Sequence, residues 1–491
     1  MSAARGELSA ERRLNLVGGE WQGAGGSIEI RDPADERVVV ASVPSMSAAD
    51  VGKVYAAAAH GAETWRRTSA IERGQILSRA ALLLRERSEQ LAELLTREMG
   101  KLLAEARVEV AKSADFFEYY GGLGRAPRGE LLAHERSDVH AYTVHEPLGV
   151  VLAITPWNDP LLTPARKLAP ALLAGNSVVL KPASNTPVVA LELARCLDDA
   201  GLPAGVLNTV TGSGAEIGAA LTAHPALRAV SFTGSNEVGA TLERDLAFAD
   251  ADVRLLAELG GKNASVVLAD ADPDKAAATI AAAAFAQAGQ RCTATSRLIA
   301  SRAVAAPLLD RLRQLATAHV LGSGLAGETT MGPLVSRSQR DDVLGFVERA
   351  LADGADLLSG GSPPDREELR HGCFVEPTIF AGVSPASEIW TEEVFGPVLA
   401  VVVVDDDSEA LDLLNGSRYG LAASVYSNDA AAIQRFVDAA EVGQIAVNLP
   451  TSGWDVHMPF GGFKESGSGH KEQGLSGLDF YRQTKVVAIA P

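Results

Sequence analysis

Two parallel α/β domains that meet near Gly260 are the fold this 491-residue chain predicts. The length exceeds what one ordinary hydrophobic core supports. Short apolar runs alternate with stretches of helical periodicity, the pattern of a parallel sheet with helices on both faces. The alternation stops at the pair Gly260-Gly261 and begins again after it.

From about Ile71 to Tyr120, apolar residues recur at helical spacing (Ile76, Leu77, Ala80, Leu83, Leu84, Leu91, Leu94, Leu95), which predicts a pair of long amphipathic helices. An alternating segment near 139–144, followed by Pro147, reads as a strand or hairpin. The first domain then sets in with a strand at 150–154 that runs into a proline-rich turn. Strands at 177–180 and 205–210 precede helices at 188–200 and 215–223, and a strand at 229–232 runs into a helix from about Asn236. The second domain opens with a strand at 264–268, a helix at 274–288, a strand at 297–300 and a helix at 304–316. Later strands fall at 399–404, 422–426 and 444–447. There is no internal repeat or low-complexity tract.

Composition narrows the function classes. Hydrophobic residues are 47% and charged residues 22%, as in an ordered globular protein. The net charge is −18 with no basic cluster, which argues against a nucleic-acid or anionic-membrane partner. The segment 1–21 lacks the apolar core of a signal peptide, and the longest apolar runs are strand-length, so a cytoplasmic protein is expected. Cys196, Cys292 and Cys373 form neither a CxxC pair nor a metal-like cluster, and their odd number speaks against a disulfide framework. His457 and His470 have no metal-ligand spacing, so no metal is expected.

Candidate chemistry concentrates at a few turns. Cys292 stands in Gly289-Gln290-Arg291-Cys292-Thr293, directly after an alanine-rich helical run. Glu258 opens Glu258-Leu259-Gly260-Gly261-Lys262. A thiol beside an arginine, with a carboxylate in a glycine-rich turn, suits covalent thiol chemistry with a general base. Alone, such a cysteine is more often a small buried residue and such a glutamate a solvated charge. Asn158, in the turn after the strand at 150–154, offers a neutral amide donor for an oxyanion or caps a helix. Phe232-Thr233-Gly234-Ser235 with Gly239 suits a phosphate at a helix N-terminus, or close strand–helix packing. Lys181 to Ser184 place a cation and a hydroxyl beside the same crevice. Glu392-Glu393-Val394-Phe395-Gly396-Pro397 and Pro459-Phe460-Gly461-Gly462 are turns with an embedded aromatic.

In this order, WN at 157–158, KPAS at 181–184, FTGS at 232–235, ELGGK at 258–262, QRC at 290–292, EEVFGP at 392–397 and PFGG at 459–462 resemble the motif set of the NAD(P)-dependent aldehyde dehydrogenase superfamily. The resemblance runs from about residue 15 to 488. It implies an aldehyde dehydrogenase fold: a Rossmann-like cofactor domain over 1–125 and 147–259, and an α/β catalytic domain over 260–460. A small β oligomerisation element and tail, 126–146 and 461–491, would join subunits into a dimer or tetramer. It also implies that Cys292 attacks an aldehyde, after some lowering of the thiol pKa from about 8.5 or transient deprotonation. The Asn158 amide and the Cys292 N–H would hold the oxyanion, each such donor typically contributing about 2.7–4 kcal/mol. Hydride would pass to the nicotinamide, and Glu258 would activate the water that hydrolyses the thioester. Relatives that pass the acyl group to coenzyme A typically lack this glutamate, so a free acid is the expected product. Glu393 would hold the nicotinamide ribose, Phe395 would pack near the ring, and Gly234 and Ser235 would lie against the pyrophosphate. Trp157 and Leu259 would complete the cofactor cleft.

Two departures from the family pattern bear on specificity. Ser184 replaces a glutamate common in NAD-preferring members, and with Lys181 it resembles NADP-using succinate-semialdehyde dehydrogenases; NADP is favoured, NAD remains open. Asp159 replaces an aromatic and Arg166 a bulky group of the substrate tunnel. Arg166 is expected to clamp the carboxylate of a semialdehyde, unless Arg166-Lys167 is a solvated helix turn. Asp159 would pair with Arg166 or attract an amine-bearing aldehyde, and neutral or aromatic aldehydes stay open too. Outside this class stand a cofactor-free cysteine hydrolase and an inactive binding protein. The first lacks a histidine near Cys292, and the intact Cys292, Glu258 and Asn158 oppose the second.

Overall fold

The computed structural model describes residues 11–127, 129–248 and 252–491. The first ten residues of the segment read for a signal peptide lie outside them. Helices Ala70–Glu86 and Ser88–Met99 and a longer one, α1 (Leu103–Gly122), occupy the predicted amphipathic stretch. Gly100, at φ 92°, stops the second of these in a left-handed C-cap.

Five strands form the first parallel sheet: β1 (Val150–Ile154), β2 (Ser177–Lys181), β3 (Leu207–Thr209), β4 (Leu227–Thr233) and β5 (Arg254–Glu258). Their order is β3-β2-β1-β4-β5. The order reverses between β1 and β4, so the crevice at their carboxyl ends is the expected ligand position of such a sheet. β1 and β2 are almost wholly buried, which is why they read as continuous apolar runs rather than alternating ones. Helix α2 (Leu162–Ala174) follows β1, and α3 (Asn236–Ala247) follows β4.

The second sheet has seven strands: β6 (Asn263–Val267), β7 (Thr295–Ser301), β8 (Asp356–Ser359), β9 (Thr378–Ala381), β10 (Val398–Val404), β11 (Ala422–Tyr426) and β12 (Gln444–Val447), ordered β8-β9-β10-β7-β6-β11-β12. Only β8 runs antiparallel to its neighbour. Four residues separate the end of β5 at Glu258 from the start of β6 at Asn263, so the carboxyl edge of one sheet meets the amino edge of the other.

Helix α4 (Pro273–Phe285), capped by the Asp272 side chain, stops three residues short of the predicted end. Gln287 and Ala288 adopt φ of 51° and 53°, which no right-handed helix accommodates. A three-stranded antiparallel sheet stands apart. Its central strand, His140–Pro147, pairs with Leu131–Leu132 on one side and with the tail strand Arg482–Ile489 on the other. Among the described residues, no helix is long and apolar enough to cross a membrane.

Candidate active site

The facing edges of the two sheets enclose a cavity of about 380 Å³. Trp157, Asn158 and Asp159 reach it from the turn after β1, Gly234 and Ser235 from the turn after β4, and Glu258 from the end of β5. Cys292 enters from the second sheet. Three successive left-handed residues, Gln287, Ala288 and Gly289, turn the chain out of α4 towards it. A Cβ on Gly289 would stand 2.1 Å from the Gly396 carbonyl oxygen, so this position admits only glycine. The Asn263 amide then ties down the Cys292 carbonyl at 2.7 Å and that of Ala294 at 2.8 Å.

Burial pushes the Cys292 thiol up to about 12; the Arg166 guanidinium opposes this, and Asp159, Glu393 and Glu258 reinforce it. The resting thiol is therefore protonated, and reaction requires a base at the moment of attack. The local depression that was one expectation is absent. Glu258 is 2% exposed, and neither carboxylate oxygen has a hydrogen-bond partner among the described residues. Burial raises its pKa well above the usual carboxylate range; the Glu472 charge adds to this, and Lys167, Arg166 and Lys471 oppose it. Gly461, at φ 141°, lies so close that a Cβ would approach Glu258 Oε1 to 2.4 Å.

Asn158 does not cap α2, whose N-cap is Leu161; Glu109 Oε1 accepts the Leu161 and Leu162 N–H groups instead, at 2.9 and 3.0 Å. The Asn158 side chain makes no hydrogen bond among the described residues and faces the cavity. Its carbonyl accepts from Lys101 Nζ at 2.9 Å and Gln287 Nε2 at 3.3 Å.

On the opposite side, Ser235 caps α3, its hydroxyl accepting the Val238 N–H. Gly239 lets that helix pack on Leu259, where a Cβ would meet the leucine at 2.5 Å. Glu393 Oε1 accepts the Gly261 N–H at 3.0 Å, and burial raises its carboxyl to about 7. Trp157 and Phe395 meet edge to face with centroids 5.1 Å apart. Lys181 and Ser184 lie outside the cavity wall at the carboxyl end of β2. Lys181 is 7% exposed, its ammonium has no partner among the described residues, and burial lowers it to about 8. Ser184 donates its hydroxyl proton to Gly212 O at 2.9 Å. A helix N-terminus, a buried unpaired cation and a carboxylate at a glycine gap fit an anionic dinucleotide with ribose hydroxyls.

Arg166, on α2, is no solvated helix turn. Its guanidinium lies over the Phe460 ring at 4.6 Å and the Phe116 ring at 5.8 Å, with Glu472 Oε2 at 3.7 Å. With the Gln473 amide turned to satisfy its neighbours, Gln473 Oε1 accepts from Arg166 Nε at 3.1 Å. Lys167 is buried and donates to Ser231 Oγ at 3.1 Å and to Glu472. The expected Asp159–Arg166 pair does not form. Asp159 Oδ1 accepts from Lys101 Nζ at 3.1 Å and Gln287 Nε2 at 3.0 Å. Burial alone would raise its pKa, but the Lys101 and Arg291 charges hold it at about 2. Its charge is thus neutralised inside the protein, which leaves no free carboxylate for an amine-bearing aldehyde.

Residues 21–487 match the model of the Aldehyde dehydrogenase family. The chain belongs to that family. It is an NAD(P)-dependent aldehyde dehydrogenase. It is similar to an alpha-ketoglutarate semialdehyde dehydrogenase of Haloferax volcanii, 43% identical over 96% of this chain and 98% of the relative. It is also similar to an alpha-ketoglutaric semialdehyde dehydrogenase of Bacillus subtilis, 38% identical over 97% and 98%. Among solved structures, the betaine aldehyde dehydrogenase of Staphylococcus aureus in complex with NAD+ superposes with a TM-score of 0.94 at 32% identity, covering 97% of this chain and 95% of that one.

In this aldehyde dehydrogenase, Cys292, Glu258, Asn158, Arg166, Glu393 and Phe395 line one cavity, although 235 residues separate Asn158 from Glu393. Lys101, Gln287 and Gln473 were not anticipated. Lys101 follows a helix-ending glycine, a position that usually carries a surface side chain, and nothing in its spacing points inward. Gln473 has φ 66°, which sequence does not signal for glutamine.

Proposed function

We propose that this aldehyde dehydrogenase oxidises a carboxylate-bearing semialdehyde, α-ketoglutarate semialdehyde, to the free dicarboxylic acid. The observation that carries the proposal is Arg166, held between two aromatic rings in the same cavity as Cys292. A guanidinium so placed binds a carboxylate by charge-assisted hydrogen bonds. The names of the two curated relatives support the same class.

In this reading the aldehyde carbon lies against Cys292 Sγ. The Cys292 thiol gives up its proton to water as the C–S bond forms, and the Asn158 amide with the Cys292 N–H holds the oxyanion. A bound NAD(P) would supply the hydride acceptor. Glu258 then takes a proton from water as it adds to the thioester, and the acid leaves as the Cys292 thiol re-forms. Glu393 holds the nicotinamide ribose, Ser235 and Gly234 the pyrophosphate, and Trp157, Leu259 and Phe395 wall the cleft.

The test compares α-ketoglutarate semialdehyde and succinic semialdehyde with butanal. A kcat/KM preference of about 100-fold is expected, equivalent to about 2.7 kcal/mol. Arg166→Met should bring the semialdehydes down to the butanal value and leave butanal itself little changed. Equal rates in the wild type would remove the carboxylate clamp and leave neutral or aromatic aldehydes as substrates.

NADP is the proposed preferred cofactor, with Lys181 as the carrier of that preference. Ser184 brings no negative charge to repel a 2′-phosphate, and the buried Lys181 ammonium has no partner among the described residues to give up. Lys181→Met is expected to lower kcat/KM with NADP by at least about 10-fold and with NAD by less. An equal loss with both would assign Lys181 to a shared part of the cofactor.

The cofactor domain is assigned to 1–125 and 147–259, the catalytic domain to 260–460, and the oligomerisation element and tail to 126–146 and 461–491. Strand Arg482–Ile489 has one edge unpaired among the described residues and exposes Val486 and Ile489, which supports a homo-oligomer built through this sheet. Light scattering should find a dimer or tetramer, and a monomer at micromolar concentration would overturn this. Three free cysteines are consistent with a cytoplasmic setting.

A further inference from the structure

A buried ion cluster beside the cavity joins the elements that carry the chemistry, and none of the steps above uses it. The Lys101 side chain is 1% exposed. Its Nζ donates to Glu109, to Asn158 O at 2.9 Å and to Asp159 Oδ1 at 3.1 Å. The Gln287 amide nitrogen reaches the same two oxygens, Asp159 Oδ1 at 3.0 Å and Asn158 O at 3.3 Å. At its other end, Gln287 Oε1 accepts from Nε of Arg291, the residue before Cys292. The Gln287 backbone N–H is held by Glu105 Oε1 at 2.8 Å.

Gln287 has left-handed φ without being glycine, a conformation that persists only where surrounding contacts over-determine it. Here they do. Its side chain is a strut, fastened to the Asn158-Asp159 turn of the first sheet and to the Cys292 loop of the second. The two proposed oxyanion donors, Asn158 Nδ2 and Cys292 N, come from opposite sides of that gap. A misplacement of about 1 Å in such a pair costs on the order of 100-fold in rate.

We propose that Asp159, with Lys101 and Gln287, is a positioning residue that sets the spacing between the Asn158 amide and the Cys292 N–H, and so acts on thiol addition through Asn158. The proposal rests on the oxyanion role given to Asn158 above.

The experiment is a stopped-flow measurement of the first NADPH turnover with succinic semialdehyde, on the full-length enzyme. Asp159→Ala leaves Lys101 paired with Glu109. It is expected to slow the burst by about 30–100-fold while KM for NADP stays within about 3-fold. Asp159→Asn keeps the accepting oxygen and is expected to recover the burst to within about 5-fold. In an Asn158→Ala background, Asp159→Ala should change the burst by less than about 3-fold, since the donor it positions is gone. A wild-type burst in Asp159→Ala, or the same fold-loss in both backgrounds, overturns the proposal and leaves the role of Asn158 intact. A wild-type burst in Asn158→Ala overturns the oxyanion reading and the positioning role with it. Gln287→Met, run through the same cycle, replaces Asp159→Ala if that variant does not fold.

Discussion

Cys292→Ala is expected to lower kcat at least about 10⁴-fold, with NAD(P) binding retained. The reason is geometric as well as chemical. The chain reaches Cys292 through three left-handed residues, the last a glycine pressed against Gly396, and the Asn263 amide locks the Cys292 carbonyl. The hydroxyls that share the cavity wall, Thr163, Thr233, Ser235, Thr293 and Ser452, sit on other backbone segments or beside this one, with no comparable presentation. Ser235 is already engaged as a helix cap. Steady-state turnover and cofactor fluorescence titration on one preparation decide the matter. Full activity in Cys292→Ala would remove the covalent mechanism.

Glu258→Gln is expected to divide the reaction in two. About one equivalent of NAD(P)H per active site should form in a burst, after which turnover falls by about 10²–10³-fold because the thioester is no longer hydrolysed. A linear time course at the wild-type rate would free Glu258 from deacylation. The same substitution has a thermodynamic signature. The folded-state pKa of Glu258 lies above its unfolded value of 4.5. Below that value both states hold the proton, and the group contributes no pH-dependent term. As pH rises above it, the unfolded chain ionises more readily than the folded one, so Glu258 lowers stability progressively up to its folded pKa. Glu258→Gln should therefore melt at a higher temperature than the wild type at pH 8 and at the same temperature near pH 4.5. A carboxylate buried without a partner among the described residues thus makes this protein less stable above the ordinary carboxylate range.

The parallel sheets were legible because their strands are buried on both faces and their helices have clear periodicity. The N-terminal β-structure was not anticipated. Asn15–Val17 and Glu20–Gln22 form a hairpin across Gly18-Gly19, both at positive φ, and a two-glycine turn between short strands is a signal the sequence did carry. The end of α4 was misplaced because an alanine-rich run has high helix propensity through Ala288, and the turn is imposed by contacts from distant segments. The site shows the same division. Cys292, Glu258, Asn158, Glu393 and Phe395 lie in local motifs, so their place in the cavity was readable. The pairing of Asp159 was not, because its partner Lys101 lies 58 residues upstream on an element with no chemical signature.

The order in which a ribosome delivers these parts has a consequence of its own. Residues up to Glu258 complete the five-stranded sheet before any thiol of the site has been made. Cys292 emerges next, with its cavity still open on one side. The floor arrives last: Gly461 against Glu258, Glu472 beside Arg166 and Lys167, and Gly474, whose carbonyl accepts the Tyr120 hydroxyl at 2.9 Å. A nascent chain halted near residue 450 would hold Cys292 and Glu258 without the enclosure that raises both their pKa values. Reactivity and confinement are thus completed in one late event, and early termination before Glu472 should yield an inactive chain rather than a weakened one.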